Sequence, residues 1–249
     1  DLEKLLKKKI IKKVSRVSKY LVFHFGLSEK KLLIHLGMSG TIHLVINKKK
    51  TNTNASFYNS LNLPTKHNHI IFFLNNNCKI IYNDPRRFGY VKMISSNFMK
   101  YSPLNKLGPD PFSLKFNFIY IKNYLRNKKK NIKNLLMDQT FVSGLGNIYV
   151  NEALFMTGIN PLRLCSDIEK NEIKRLVLNI KKILTSSILK GGSSIKDFKN
   201  LTGKSGSFQS FFYVYGRENK NCSRNSCTGK IKKIFISNRS SFYCAKCQN

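Results

Sequence analysis

At residues 142–147 the chain reads Val142-Ser143-Gly144-Leu145-Gly146-Asn147, between two short segments whose apolar residues recur at helical spacing. The segments span 132–139 and 148–157. Two short helices joined by a glycine-containing turn form a helix-turn-helix unit. The backbone N–H groups that begin the second helix attract anions, and Asn147 is expected either to contact such an anion or simply to cap the helix. The stretch therefore predicts a helical domain with an anion-binding turn.

Upstream of this turn, roughly the first hundred residues predict β structure. Short apolar or alternating runs are separated by clusters of Gly, Asn, Ser and Lys, a spacing typical of a sandwich or barrel. The polar, Asn-rich segment 48–60 is predicted to be a surface loop. We expect strands at 20–25, 32–36, 41–46, 70–73 and 79–84.

Downstream of the turn, one long helix is predicted to begin at Ser166, where Ser166 and Glu169 have the spacing of a capping box. The helix is expected to end at Gly191-Gly192. The segment 102–112, rich in Pro and Gly, is predicted to separate the β domain from the helices. The division is then 1–101 for the β domain, 102–212 for the helical domain and 213–249 for a cysteine-rich end.

The cysteine-rich end carries four of the six cysteines. Cys222 and Cys227 are separated by four residues, and Cys244 and Cys247 by two. Four thiolates in this arrangement suit one closed, tetrahedral, structural Zn²⁺ site. Such a site stabilises a β-hairpin too small to have its own core. Arg239 is expected at the turn of this hairpin, where it is exposed and well placed for a phosphate.

The charge balance indicates a polyanionic partner. The chain has 45 Lys plus Arg against 12 Asp plus Glu, a formal net charge of +33. A net positive charge of this size is explained best by a nucleic-acid partner, because each phosphate that the protein neutralises releases a counterion and so strengthens binding. A composition rich in Lys, Asn and Ile also indicates an AT-rich genome, which contributes to the excess. No stretch reaches the roughly 18 apolar residues of a membrane span, so no membrane partner is expected.

Several separated stretches together resemble the formamidopyrimidine-DNA glycosylase family of bacterial 8-oxoguanine DNA glycosylases. They occur in the family's order, the four-cysteine end follows them, and the resemblance covers nearly the whole chain. The stretches are His35-Leu36-Gly37-Met38-Ser39-Gly40, Asp84-Pro85-Arg86-Arg87-Phe88-Gly89, Gly144-Leu145-Gly146-Asn147-Ile148-Tyr149, Gly191-Gly192-Ser193-Ser194-Ile195-Lys196-Asp197-Phe198 and Val214-Tyr215-Gly216-Arg217.

The resemblance implies an α+β protein: an antiparallel β-sandwich, a helix-two-turn-helix domain and a four-Cys zinc-finger β-hairpin, with duplex DNA in the cleft between domains. It implies a monomer that removes oxidised purines (8-oxoguanine and formamidopyrimidines) and cleaves the abasic site by β,δ-elimination. Such enzymes turn the damaged base out of the stack. We expect a cytoplasmic protein that acts at the bacterial nucleoid.

The resemblance also assigns roles to single residues. Lys19 matches a lysine on a strand in the cleft that is assigned to phosphate contact and proton transfer, and Arg239 matches an arginine assigned to the second elimination. Segment 204–208 matches a mobile loop over the everted base. A triad of Met38, Arg86 and Phe88 is expected to fill the gap left by the base, although Met38 and Phe88 would otherwise be interpreted as core residues. Further DNA contacts are expected from His67, Arg86, Lys128 and Asn147.

The nucleophile of the family does not occur at the start of this chain. The family uses an N-terminal proline and an adjacent glutamate, whereas this chain opens with Asp1-Leu2-Glu3. We therefore expect a missing N-terminal segment and a truncated sandwich, and we predict that this chain by itself lacks glycosylase and lyase activity. None of its acids lies in a comparable motif, and Glu152 either lines the pocket or has a structural role.

Three other functions remain open from the sequence. A non-catalytic relative would bind damaged DNA without cutting it. An RNA-binding zinc protein is suggested only by charge and cysteines, and the filling triad argues against it, because RNA readers rely on stacked single-stranded bases. A sibling family removes oxidised pyrimidines, but the complete Arg86-Arg87-Phe88 favours the purine enzyme.

Overall fold

The structure, a computed structural model, describes residues 2–26, 28–46, 49–52 (backbone), 65–193 and 207–249. The chain divides into two compact units. The first comprises Asp1–Asn105 and Gly191–Gln209, and the second comprises Lys106–Lys190 and Ser210–Asn249. The predicted α+β class is confirmed. The cysteine-rich end belongs to the same unit as the helices, and a division into three domains at 101 and 212 stays a prediction.

The first unit is an antiparallel β-sandwich, as predicted. The elements are α1 (Leu2–Leu6), β1 (Ile11–Val17), β2 (Tyr20–Phe25), β3 (Lys30–His35), β4 (Thr41–Ile46), β5 (Lys49–Asn52), β6 (Asn68–Phe73), β7 (Cys78–Asn83) and β8 (Tyr90–Ser95). The two four-stranded sheets have the orders β1-β2-β3-β8 and β5-β4-β7-β6. Side chains from both sheets meet in one core, where Phe23 and Ile34 of the first sheet pack with Ile42 and Tyr82 of the second.

The five predicted strands are present, while α1, β1, β5 and β8 had not been predicted. Strand β1 is an edge strand whose sequence, IKKVSRV, is dominated by exposed charges, so its apolar alternation is weak. Natural edge strands carry such lysines because they hinder pairing with another chain. The predicted surface loop at 48–60 is wrong at 49–52, whose backbone pairs with β4. The rest of that segment, 53–60, and Lys48 lie outside the described residues.

The second unit packs helices around one apolar core, followed by the cysteine hairpin. Its elements are α2 (Phe118–Leu125), α3 (Ile132–Met137), α4 (Asn147–Thr157), α5 (Lys170–Leu189), β9 (Ile231–Ile236) and β10 (Arg239–Cys244). Helix α2 had not been predicted, because Phe-Ile-Tyr-Ile favours a strand. Asn117 caps this helix by accepting from the N–H of Tyr120, and Ile121 and Leu125 are buried in the core.

The long helix α5 begins later than predicted. It starts at Lys170, and the proposed Ser166–Glu169 capping box is wrong. Ser166 lies in a short 3₁₀ helix, Cys165–Asp167, and Ile168 is extended and buried, which interrupts any helix from Ser166. The Glu172 carboxylate instead accepts the backbone N–H of Glu169 at 2.9 Å. The helix ends before Gly191 and Gly192, whose φ values are positive, as predicted.

No helix among the described residues is both long and apolar enough to cross a membrane.

Glu152 of α4 holds the chain segment that leads into the cysteine-rich end. Its carboxylate is fully buried and accepts backbone N–H groups from Tyr213 at 2.8 Å, Val214 at 3.1 Å and Tyr215 at 2.8 Å. Buried backbone donors need such partners, because a lost hydrogen bond leaves them desolvated and unpaired. Of the two roles considered for Glu152, these contacts indicate the structural one.

Replacing Glu152 should therefore destabilise the second unit. The Glu152→Leu variant keeps the volume but leaves one buried and two partly buried N–H groups without their acceptor, so the free energy of unfolding should fall by about 3 kcal/mol. Urea denaturation followed by circular dichroism measures the change. Glu218→Leu is the matched control, because the Glu218 side chain is 46% exposed and its ion pair with Lys233 is long, at 3.6 Å. Equal stability of the two variants would contradict the role of Glu152.

Candidate nucleic-acid interface and metal centre

One edge of the first sheet collects four of the predicted residues. Strand register places Tyr20 opposite His35 and His35 opposite Tyr90, so the segments flanking these residues lie at the same edge. These segments are the β1–β2 turn with Lys19, the loop 36–40 with Met38, and the loop 85–89 with Arg86 and Phe88. We call the two loops the wedge loops.

Lys19 lies in a turn, not on a strand as expected from the resemblance. Strand β1 ends at Val17 and β2 begins at Tyr20, which leaves Ser18 and Lys19 as the two-residue connection. Ser18 has the positive φ of 54° that such tight hairpins require. The Lys19 side chain is exposed. Burial, and secondarily the charge of Lys19, lowers the pKa of His35, which favours the neutral imidazole beside this lysine.

Met38 and Phe88 are not core residues. Their side chains are 60% and 55% exposed, which excludes the alternative interpretation. The Arg86 guanidinium lies 4.6 Å from the centre of the Phe88 ring, a cation–π contact. Gly37, with φ +66°, packs so closely that a Cβ there would lie 2.6 Å from the carbonyl carbon of Phe88. The two wedge loops are thus in direct contact, and Met38 follows Gly37 in the loop that packs against the Arg86–Phe88 segment.

The buried carboxylate of Asp84 connects the two wedge loops. Its Oδ1 accepts from the Ser39 hydroxyl at 2.5 Å and from the Arg86 N–H at 3.3 Å. Its Oδ2 accepts from the Gly89 N–H at 2.9 Å and from the Tyr82 hydroxyl at 3.0 Å. Burial alone would raise the pKa of Asp84, but the hydrogen bonds from Ser39, Gly89, Tyr82 and Arg86 outweigh it and hold the pKa below its usual value.

His67 is joined to the same aspartate through the backbone. It ends the short 3₁₀ helix Thr65–His67, and its carbonyl accepts the N–H of Asp84 at 3.0 Å. On the other side, His69 Nε2 lies 2.8 Å from the Asp84 carbonyl oxygen. Asp84 therefore contacts each of the three segments that carry His67, Met38 and the Arg86–Phe88 pair. The sequence motif contains Asp84, but nothing in its spacing indicated this central position.

In the second unit, Asn147 and Arg239 come together at the tip of the cysteine hairpin. Gly146 is the N-cap of α4, and Asn147 is its first residue. Asn147 does not cap the helix, because its Nδ2 donates instead to the carbonyl of Ser240 at 2.9 Å. The turn itself consists of Ser237 and Asn238, both with positive φ, so exposed Arg239 begins β10 immediately after the predicted position.

Lys133 is a buried contributor to this tip that had not been predicted. Its ammonium group donates to the Ser240 carbonyl at 3.0 Å and to the Ser241 hydroxyl at 2.5 Å. Burial, and secondarily the charge of Arg239, lowers its pKa to about 8. The sequence did contain a signal for this role. Lys133 lies in α3 beside the buried Ile132 and one helical turn before Leu136, and a lysine on an apolar helix face needs a specific partner.

Lys128 and part of the predicted loop at 204–208 are also described by the structure. Lys128 is exposed in the connection between α2 and α3, and its ammonium lies 5.3 Å from the centre of the Tyr124 ring. Its neighbour Lys130 is paired with Asp138 at 3.1 Å. Of the predicted loop at 204–208, residues 204–206 lie outside the described residues, whereas Phe208 is buried in a 3₁₀ helix.

The four clustered cysteines have the geometry of a tetrahedral zinc site. The sulfur atoms of Cys222, Cys227, Cys244 and Cys247 all lie within 4.8 Å of one another. The Cys222–Cys247 and Cys227–Cys244 sulfur pairs are each 3.7 Å apart. Tetrahedral coordination with Zn–S bonds of about 2.3 Å requires sulfur separations of about 3.8 Å. The cluster therefore fits one Zn²⁺ with no coordination position left for water.

Glycine and arginine residues adapt the chain around this site. At Gly229 a Cβ would lie 2.7 Å from the Cys244 sulfur, so only glycine allows the backbone to pass. The wide gap between Cys222 and Cys227 contains Arg224, whose guanidinium donates to the carbonyls of Phe155 at 2.5 Å and Met156 at 3.2 Å. A cation at the end of α4 is favourable because unpaired carbonyls concentrate negative charge there.

Comparison with known proteins gives one consistent family. Residues 1–91 match the model described as the formamidopyrimidine-DNA glycosylase N-terminal domain, and residues 107–199 match the formamidopyrimidine-DNA glycosylase H2TH domain. The formamidopyrimidine-DNA glycosylase of Roseobacter denitrificans is 40% identical over 249 residues, which is 100% of this chain and 86% of that protein.

Solved structures agree with this result. A Lactococcus lactis Fpg mutant bound to Fapy-dG-containing DNA matches with a TM-score of 0.85 and 33% identity. A MutM complex with carbocyclic 8-oxo-G-containing DNA matches with a TM-score of 0.84 and 34% identity. Each match covers 100% of this chain and 85% of the other. The chain belongs to the formamidopyrimidine-DNA glycosylase family.

Proposed function

We propose that this protein is a base-excision repair enzyme that removes oxidised purines from duplex DNA and cleaves the abasic site by β,δ-elimination. Its family is one of DNA glycosylases, and the DNA-bound relatives hold 8-oxo-G and Fapy-dG lesions. The observation that carries the proposal is the exposed Met38 and Phe88 pair beside Arg86, at one edge of the sandwich. The relatives match along the whole chain, which disfavours a non-catalytic binder.

The three exposed side chains suit the gap that an everted base leaves in a duplex. Apolar wedges such as Met and Phe stabilise unstacked base steps. Arg86 carries several donors for the acceptors of the unpaired cytosine, and its contact with Phe88 keeps the guanidinium at the wedge. Extrusion of a base costs a few kcal/mol, and filling the gap offsets part of that cost.

The remaining predicted residues are proposed to hold the phosphate backbone. Lys19 is exposed at the same edge as the wedge and would contact the phosphates beside the lesion and transfer protons. In the second unit, Asn147 at the start of α4 and Arg239 at the hairpin tip lie together, a combination suited to one phosphate group. Arg239 is proposed to act in the second elimination. His67 and Lys128 are proposed to contribute further backbone contacts.

The cysteine cluster is proposed to hold a structural Zn²⁺ through Cys222, Cys227, Cys244 and Cys247. When bound, the ion would cross-link the two cysteine pairs and take no part in catalysis, because four thiolates close its coordination sphere. Cys244 ends β10, the strand that Arg239 begins, so the metal site fixes the strand on which the arginine lies.

We propose that the protein binds DNA as a monomer and acts at the bacterial nucleoid, since its relatives are bacterial and its substrate is duplex DNA. The origin from an AT-rich genome stays a prediction. Oxidised pyrimidines are the competing substrate class. A panel of duplexes with stable lesion analogues separates the two, and tighter binding of oxidised pyrimidines than of oxidised purines would contradict the proposal.

Binding of this chain to duplex DNA should depend steeply on salt. If roughly 6–10 phosphates are contacted, affinity should fall by about 10³–10⁵ between 50 and 200 mM salt. Fluorescence anisotropy of a labelled duplex measures the affinity at each salt concentration. An Arg239→Gln variant should bind more weakly and with a smaller salt slope, whereas Lys246→Gln, on the exposed turn after β10, is the matched control. A flat salt response would contradict the phosphate contacts.

One zinc ion per chain should be found by elemental analysis. Cys244→Ser should abolish zinc retention, lower the thermal midpoint and weaken DNA binding, because β10 loses its anchor and Arg239 its position. Cys78→Ser is the control, since Cys78 lies in the sandwich and outside the cluster, and it should retain zinc. Full zinc content in Cys244→Ser would show that the cluster is not the metal site.

A further inference from the structure

The exposed wedge needs a support other than core packing. A buried side chain is held by many surrounding atoms, but Met38 and Phe88 stand largely in solvent. Their positions therefore depend on the backbones of the two wedge loops. Exact placement is important for the proposed reaction, because a misplacement of about 1 Å can cost about 10²-fold in rate.

We propose that Asp84 is a positioning residue that clasps the two wedge loops and so sets the geometry with which Met38, Arg86 and Phe88 enter the gap opposite an everted base. This inference rests on the proposed function. Asp84 contacts no DNA in this account, because its carboxylate is fully buried. It acts through the loops that it joins.

The hydrogen bonds divide between the loops in a way that suits a clasp. The Ser39 hydroxyl fixes the first loop one residue after Met38. The N–H groups of Arg86 and Gly89 fix both ends of the segment that contains Phe88. The Ser39 hydroxyl oxygen also accepts the Arg86 N–H at 3.2 Å, so the two loops are bonded to each other as well as to the carboxylate.

The carboxylate is supported from the sandwich behind it. The Tyr82 hydroxyl donates to Oδ2 from the end of β7, and the backbone of Asp84 is bonded to His67 and lies within reach of His69. Hydrogen bonds to an ionised acceptor are roughly twice as strong as neutral ones. An anion also has only acceptor atoms, which all four donors require. Aspartate is therefore specifically suited to this position, and asparagine is not.

Asp84→Asn tests the clasp while preserving size. Its amide nitrogen cannot accept, so one side of the clasp must open. We expect the preference of the chain for a duplex with a stable abasic-site analogue opposite cytosine, over an undamaged duplex, to fall by about tenfold. The salt slope of binding should stay unchanged, because the phosphate contacts are not altered.

The matched control is Thr41→Val. Thr41 is buried in the same sandwich, and its hydroxyl donates to the Asn83 carbonyl at 3.3 Å and lies 2.8 Å from His43 Nε2, but it bonds neither wedge loop in the described structure. This variant loses two buried hydroxyl contacts and should retain the lesion preference. A loss of preference equal to that of Asp84→Asn would overturn the proposal, because general destabilisation would then explain both.

A second variant keeps the proposal testable if Asp84→Asn folds poorly. Ser39→Ala removes the arm to the Met38 loop and also the hydroxyl that accepts the Arg86 N–H, so it should reduce lesion preference several-fold. In a Met38→Ala background the same change should have a smaller effect, because one of the side chains that Ser39 positions is then absent. Fully additive effects of the two substitutions would overturn the proposal.

The outcomes also separate this inference from the proposed function. If the unaltered chain shows no preference for the abasic analogue, the proposed function itself fails. If the unaltered chain has the preference and Asp84→Asn keeps it in full, the function stands and the clasp is wrong.

Discussion

A buried carboxylate that joins two exposed loops is the constraint on which the first unit depends. Large apolar side chains are usually buried, yet Met38 and Phe88 are held in solvent at the sandwich edge. Their exposure is tolerated because the loops beneath them are fixed by hydrogen bonds to Asp84 and by the close contact of Gly37 with Phe88. The two loops are thus preorganised for binding. The entropic cost of ordering them when DNA binds is therefore small.

The second unit uses the same principle with the opposite charge. Lys133 is a buried cation whose donors converge on Ser240 and Ser241, next to Arg239. Asn147 donates to the same Ser240 carbonyl, and Asn151 accepts the Phe242 N–H at 2.7 Å. The cysteine cluster fixes the far end of the same strand. In both units a buried polar group fixes an exposed residue that is proposed to meet DNA.

The sequence predicted much of the fold because its motifs are local. The helix-turn-helix segments, the cysteine pairs and five of the strands each carry their signal in a short window. The prediction failed where the local pattern was weak or misleading. Exposed lysines weaken the apolar alternation of β1, and the β-forming residues of α2 favour a strand. The extended, buried Ile168 shifts the start of α5 to Lys170. In α2 and α5 tertiary packing overrides the local pattern, whereas β1 is an exposed edge strand with a weak local pattern.

The candidate site was predicted as a set of residues, but not as an arrangement. Motif spacing could not show that Asp84 bonds Ser39 as well as its near neighbours Arg86 and Gly89, because Ser39 and Asp84 are 45 residues apart in the chain. Nor could it show that Lys133 reaches the hairpin tip across a separation of 107 residues in the chain. Such long-range polar contacts depend on the assembled sheets and helices.

The central claim is that Met38, Arg86 and Phe88 occupy the space vacated by an everted base. A crystal structure of this chain bound to a duplex with a stable abasic-site analogue opposite cytosine tests it most directly. The account predicts Met38 and Phe88 inserted at the gap, Arg86 bonded to the unpaired cytosine, and the Asp84 hydrogen bonds retained. A gap that is closed by restacked bases, or filled by other residues while these three side chains point away from the DNA, would contradict it.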